Sequence, residues 1–179
     1  MFVGAILIVV LSPKCNPEEG RVWWKKKLNY QIFTPSFRDS DGDGLGDFKG
    51  ISEKLEEIRK AGVETVWTTP VIMTCKNDFE PLDVINFEQL DARFGTEKDF
   101  KNLVSSVHKQ NMHFVMDFPI STTSQEHIWF VKAKSGNIRY RDYYFWGSSD
   151  EFKGPGYITL EDLKQSFMAY AGKSPILNW

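Results

Sequence analysis

The chain has 179 residues, enough for one ordinary domain with a hydrophobic core. Its 22 Lys and Arg nearly balance 24 Asp and Glu, and a net charge of -2 gives no electrostatic case for nucleic acid. Two cysteines, Cys15 and Cys75, exclude a disulfide framework, and they have no metal-type spacing among the three scattered histidines, His108, His113 and His127.

The run Met1 to Leu11 is uncharged and apolar, and Ser12-Pro13-Lys14-Cys15 breaks it. A helix needs about 20 apolar residues to cross a bilayer, so this run alone is too short. It fits a signal-peptide core, the last half of a transmembrane helix or a buried segment. A signal peptide wants a basic start and a small-residue cleavage site, and neither is present. The expectation is therefore a partial transmembrane segment over residues 1–15. Lys14, Arg21 and Lys25 to Lys27 follow it; the positive-inside rule would put them in the cytoplasm, but the orientation does not follow from this run alone. Cys15, directly after the run, is a free thiol or a bridge to another chain. Residues 16–22 read as a linker.

Leu28 to Phe33 is an apolar-rich run of strand length. The loop from Arg38 to Gly50 then carries Asp39, Asp41, Asp43 and Asp47, four carboxylates at odd positions within nine residues, with glycines between them. Hard oxygen ligands converging on one point suit Ca²⁺. The EF-hand pattern fits in part, with Leu45 offering its carbonyl, but Gly50 stands where a bidentate Glu belongs. A solvated acidic turn is the alternative.

Ile51, Leu55 and Ile58 recur at helical spacing, so residues about 51 to 60 form an amphipathic helix that Gly62 stops. Val63 to Thr69 is a β-branched strand ending at Pro70, followed by a long connection to about Gly95. Thr96 opens a helix with Asp99 three residues on, and Phe100, Leu103, Val104 and Val107 form its buried stripe. Met112 to Phe118 is a third strand, closing at Pro119. Leu160 to Tyr170 has the pattern of a short helix. Alternation of strand and helix predicts a parallel α/β sheet, whose functional loops follow the C-terminal ends of the strands.

The motifs Trp23-Trp24, Tyr30-Gln31-Ile32, Ser36 to Gly44, Gly46 to Gly50, Phe94-Gly95-Thr96 and His127-Ile128-Trp129-Phe130 occur in that order. Together they resemble the α-amylase family of glycoside hydrolases (family thirteen), especially its oligo-1,6-glucosidase and maltase-type members. The resemblance implies the first three strands of a (β/α)₈ TIM barrel over residues 23–118 and the start of an inserted domain over 119–179. It also implies a structural calcium ion held by Asp39, Asp41, Asp43 and Asp47 with the Leu45 carbonyl. Where the hydrolases carry Gly-Tyr-Asp, this chain has Pro81-Leu82-Asp83, so Asp83 is kept as a sugar-contacting remnant and the stacking ring is lost. Where they carry Asp-x-x-x-Asn-His-Thr-Ser, it has Asp117 followed by Ser121-Thr122-Thr123-Ser124. Retaining hydrolysis needs two carboxylates about 5 Å apart. In this family they follow the fourth and fifth strands, which places no catalytic residue in this span.

The junction of apolar run, Ser12-Pro13-Lys14-Cys15 and Trp23-Trp24 is similar to rBAT-type amino-acid transporter heavy chains. That similarity implies an interchain disulfide from Cys15 to a transporter light chain. The expectation is thus a membrane-anchored, single-pass heavy-chain-like subunit at the plasma membrane, not an enzyme, with a degenerate amylase-like ectodomain. Its alternatives are a truncated α-glucosidase binding oligosaccharide, and a non-functional fragment. No Asn-x-Ser/Thr glycosylation site is present. Single residues have plain structural readings: Asp117 as a supporting hydrogen-bonder, Trp67 and Trp129 as core, and Cys75 as an unpaired thiol.

Overall fold

A computed structural model of the protein covers residues 22–75, 83–146, 158–159, 167–169 and 174–178, the residues described below. A short helix, α1 (Trp23–Lys26), leads into β1 (Asn29–Ile32), and α2 (Thr34–Phe37) follows at once with Pro35 in its first turn. Proline is suited to that position because its fixed φ is helical and its missing N–H would find no intrahelical partner there. The acidic loop connects α2 to α3 (Phe48–Lys60). This helix starts one turn earlier than its apolar spacing predicts, because Asp47 caps it by accepting the Gly50 amide at 2.8 Å. Phe48, Ile51, Leu55 and Ile58 are buried on one face, while Lys54–Glu57 and Glu56–Lys60 pair on the other. Gly62 ends the turn at φ 89°, in the left-handed region that glycine enters without cost.

The strand β2 (Thr65–Thr68) follows, then an antiparallel pair, β3 (Ile72–Thr74) with β4 (Val84–Leu90), whose register shifts twice. This pair lies within the stretch that the sequence reading leaves as an irregular connection. A 3₁₀ turn (Ala92–Phe94) leads to α4 (Glu97–Lys109), which opens with the expected box: Thr96 accepts the Asp99 amide, and Asp99 accepts the Thr96 amide. The strand β5 (His113–Met116) completes a sheet of order β1-β2-β5, parallel throughout, with Gln31, Trp67 and Val115 in register. One face of the sheet lies under α3 and α4. Ile32, Val66, Leu55, Leu103 and Val107 form the core there, with Phe114 and Met116 packed against it. Burying a side chain such as Leu55 completely contributes about 1.5–3 kcal/mol.

Beyond β5 the polypeptide forms α5 (Ile128–Lys134) and α6 (Ile138–Arg141), then three short antiparallel strands, β6 (Ile158–Thr159), β7 (Phe167–Ala169) and β8 (Ser174–Pro175). The helix expected over Leu160 to Tyr170 is corrected, because residues 167–169 are a strand paired on both sides. A second, smaller core joins Phe130, Ala133, Tyr144 and Leu177.

Two expectations of fold change here. Instead of a barrel wall there is an open parallel sheet, consistent with an incomplete TIM barrel, in which β1 and β5 each pair on one side only among the described residues. Its flank is accordingly apolar and exposed, with Leu28 at 56% and Tyr30 at 43%. The membrane-spanning expectation is corrected as well. Among the described residues no helix is long and apolar enough to cross a membrane, and the run Met1 to Leu11 lies outside the described residues.

Candidate functional site

The C-terminal ends of the parallel strands deliver three loops to one rim. The Thr69 amide donates to the Ile32 carbonyl at 2.9 Å, and the Asp117 amide donates to the Thr68 carbonyl at 3.0 Å, so the ladder continues one residue past each strand. Asp117 is half-buried on the sheet face opposite the helices, where its Oδ1 accepts the Trp67 indole N–H at 2.9 Å. It is the supporting hydrogen-bonder that the sequence suggests. Trp67 is half-buried rather than enclosed.

After β1 comes the acidic loop. Asp39, Asp41 and Asp43 bring one carboxylate oxygen each to within 4.8 Å of one another, a grouping that could hold a metal ion. The backbone folds it: Asp39 accepts the amides of Asp41, Gly42 and Gly44 at 3.1, 2.6 and 2.9 Å, and Asp43 accepts the Leu45 amide at 2.8 Å. The Gly44 and Gly42 amides hold the Asp39 carboxyl below its usual range. Each ionised carboxylate offers about four lone-pair sites, so these bonds leave oxygen donors for a hard cation. Gly42 and Gly44 turn the loop at φ 83° and 94°.

Asp47 stands outside this triad. Its carboxylate accepts the Ser40 amide at 2.7 Å, the Ser40 hydroxyl at 2.9 Å and the Gly50 amide, tying loop to helix. Burial pushes its carboxyl up, but those donors outweigh it and the net shift is down. Asp41, Asp43 and Asp47 still line one small cavity of about 120 Å³ together with Arg93 and Asp99. Gly46 and Gly50 are close-approach glycines: a Cβ at either would meet the carbonyl oxygen of Thr34 or Arg38. Gly50, which breaks the EF-hand pattern, is thus required by packing.

After β2, Asp83 is half-buried beside β4 and its carbonyl accepts the Cys75 amide at 3.1 Å. Pro81 and Leu82 lie outside the described residues. The segment after β5 reaches the same region, because the Ser124 amide donates to the Val84 carbonyl at 2.7 Å. The rim therefore brings the Asp83 strand and the Asp117 segment together. The segment 174–178 pairs with this stretch, through the Leu177 amide donating to the Ser121 carbonyl at 3.0 Å and the Thr122–Ile176 bridge; Thr122 is buried and Ser121 stays exposed.

Sequence reasoning misses the buried pair behind this rim. Asp91, 5% exposed, receives the Arg93 guanidinium at 2.6 Å, and Arg93 also reaches the Thr74 hydroxyl at 2.9 Å. Burial raises the Asp91 carboxyl and the Arg93 bonds more than reverse that. The pair locks the β3/β4 hairpin to the turn before α4. An acid two residues before a basic residue, closing a long connection, is the signal that marks it.

The expected interchain bond has no structural footing. Cys75 is a free thiol, no disulfide pair exists among the described residues, and Cys15 lies outside them. The light-chain and membrane partners, the single-pass topology and the plasma-membrane location are corrected on this ground and on the lack, among the described residues, of a helix able to cross a membrane.

Known proteins place the chain. The family described as "Alpha amylase, catalytic domain" matches residues 31–168. An oligo-1,6-glucosidase of Bacillus sp. (strain F5) is 36% identical over 169 residues, covering 88% of this chain and 33% of that protein. The amino acid transporter heavy chain SLC3A1 of Rattus norvegicus is 39% identical over 155 residues, covering 86% and 22%. Isomaltulose synthase (PalI) from Klebsiella sp. LX3 superposes with a TM-score of 0.77 at 35% identity, over 90% of this chain and 31% of that one. Trehalose-6-phosphate hydrolase (TreA) of Bacillus licheniformis gives 0.76 at 32%, over 89% and 31%. The chain thus spans between a fifth and a third of the length of these relatives. The heavy-chain and non-enzyme expectations are overturned by the solved neighbours, which are named for reactions on sugars, and likeness to the heavy chain is matched by likeness to oligo-1,6-glucosidases. The chain belongs to the α-amylase catalytic-domain family.

Proposed function

We propose that this chain is part of a glycosidase or transglycosidase acting on α-glucosidic bonds, as the N-terminal portion of its catalytic domain. The carrying observation is the parallel sheet β1-β2-β5, from whose C-terminal ends the acidic loop, the connection carrying Asp83 and the Asp117 segment leave, on a fold shared with isomaltulose synthase at 35% identity. In this reading residues 23–118 supply the first strands of a barrel and 119–179 begin an inserted domain. Asp83 contacts a sugar hydroxyl, and Asp117 supports the rim through Trp67. The nucleophile and acid/base carboxylates belong to later strands of the complete protein. Thr122, where relatives of the hydrolase type carry a histidine, is buried against the segment 174–178, so in this reading that sugar contact is not made by its side chain.

The cation in this reading is Ca²⁺. Three aspartates with flexible turn geometry favour a large hard ion over Mg²⁺, which demands a tight octahedron. In this reading Asp47, which lines the same cavity, and the Leu45 carbonyl of the same loop add oxygens. The likeness to heavy chains concerns the same barrel segment and does not separate the two groups.

The test is to express the complete protein that contains this chain and measure glucose release or transfer from maltose, isomaltose, sucrose and p-nitrophenyl α-glucoside. Turnover of at least one substrate is expected, and Asp83→Asn should lower kcat/KM by about tenfold or more, as expected for a charge-assisted contact. No turnover of any of the four by a folded protein would refute the reading.

A further inference from the structure

Between the β3/β4 hairpin and the first turn of α5 lies a cavity of about 370 Å³. That falls in the range of small-molecule sites. Phe87 and Trp129 line it with ring centroids 5.7 Å apart, and His127 sits against both, 5.4 Å from Phe87 and 4.6 Å from Trp129. His127 is only 3% exposed. Its Nδ1 accepts the Trp129 amide at 3.1 Å, capping α5, so the ring proton resides on Nε2. Burial lowers its pKa to about 4, which keeps the ring neutral near pH 7. Among the described residues Nε2–H has no hydrogen-bond partner, although the ring forms part of the cavity wall.

Glu88 and Glu126 also line the cavity and are solvent-exposed, and Asn86 accepts the Glu88 amide at 2.8 Å, which leaves its own amide donors available. These groups restrict the ligand. Two carboxylates disfavour an anion. A cation would gain from the carboxylates but offer no acceptor to the Nε2–H donor, and a purely apolar guest would cover that donor and leave it unpaired, at a cost of about 1–3 kcal/mol. What fits is a neutral molecule with apolar faces for the two rings, an oxygen for Nε2–H and hydroxyls for the carboxylates.

We propose that this groove is a binding site for a neutral pyranose ring, which lays a C–H face on Trp129 or Phe87, accepts from His127 Nε2 and donates to Glu88 and Glu126. The site goes beyond the glycoside chemistry proposed above, which uses Asp83 and the strand ends, so the two can fail separately.

The experiment titrates the complete protein with glucose and with glucitol, its acyclic alditol, followed by saturation-transfer NMR and calorimetry. It compares wild type with His127→Asn, which retains a capping side chain, and with the Glu88→Gln/Glu126→Gln double variant, whose positions are exposed. Glucose should bind saturably, with affinity falling about tenfold in each variant, one lost hydrogen bond's worth. Glucitol, which has no flat C–H face, should bind several-fold more weakly. Equal glucose affinity in wild type and both variants overturns the site, as does glucitol binding as tightly as glucose. Glucose binding that depends on these residues in a protein without turnover upholds the site while refuting the hydrolase reading.

Discussion

The Trp67 indole N–H and the Asp117 carboxylate meet at 2.9 Å across a sequence separation of 50 residues, joining β2 to the end of β5 on the sheet face away from the helices. Registered strands alone would leave that carboxylate half-buried and without this N–H. Trp67→Phe keeps most of the apolar ring and removes the donor, so it should destabilise the fold by about 1–3 kcal/mol. Asp117→Asn should be milder, because an amide oxygen still accepts. Denaturant titrations of the two single variants and the double variant give the coupling, and additive effects would show that the bond carries no weight.

The loop glycines divide into two kinds with different penalties. Gly46→Ala and Gly50→Ala each drive a Cβ into a backbone carbonyl and should cost more than about 3 kcal/mol, the range of severe backbone clashes. Gly42→Ala and Gly44→Ala meet open space and cost only the left-handed conformation, about 1–2 kcal/mol. Thermal melts of the four variants should rank in that order, and an inverted ranking would reject the close-approach account.

Millimolar calcium should raise the melting temperature of the complete protein, since an ion at 100 times its Kd adds about 2.7 kcal/mol. The Asp41→Ala/Asp43→Ala variant should lose that increment, because it removes two of the three grouped carboxylates. A calcium response that survives in this variant places the ion elsewhere.

His127 sets a pH dependence. Its folded pKa of about 4 lies below the ordinary value of 6.5, so between those values the unfolded polypeptide binds the extra proton. Its contribution to stability is complete above about pH 6.5 and is lost as pH falls towards 4, on the order of 3 kcal/mol for a shift of this size. Asp47 and Asp91 act lower down: their depressed carboxyls stabilise above the ordinary carboxylate value and lose that effect as pH drops below it. Urea unfolding from pH 7 to 4.5 should steepen less in His127→Asn than in wild type, and parallel curves would count against the assignment.

What the sequence makes legible follows the range of the interactions. The helices α3 and α4 show in their apolar spacing, and the Thr96–Asp99 box is a contact three residues long, so both are readable locally. The three parallel strands show as β-branched or apolar runs. The β3/β4 hairpin is hidden because its register slips and its pairing is non-local. The cap on α5 is hidden because a histidine fills a position where Ser, Thr, Asp or Asn is the usual choice. Asp47 reads as a ligand because it follows three alternate aspartates in one glycine-rich loop, whereas the structure uses it first to start α3. Residues 167–169 form a strand because 158–159 and 174–175 flank them, and no helical spacing can reveal that.

Leu177 completes the small core around Phe130 and Tyr144, and the Thr123 amide and the Pro175 carbonyl close the same seam at 3.0 Å. During synthesis at roughly 5–20 residues per second, the β1-β2-β5 sheet is complete once Met116 has emerged. The α5–α6 region must wait for residues made some sixty positions later before Leu177 can seat. For several seconds Phe130, Tyr144 and their aromatic neighbours are exposed on the nascent polypeptide. In that interval the exposed aromatic surface is open to aggregation.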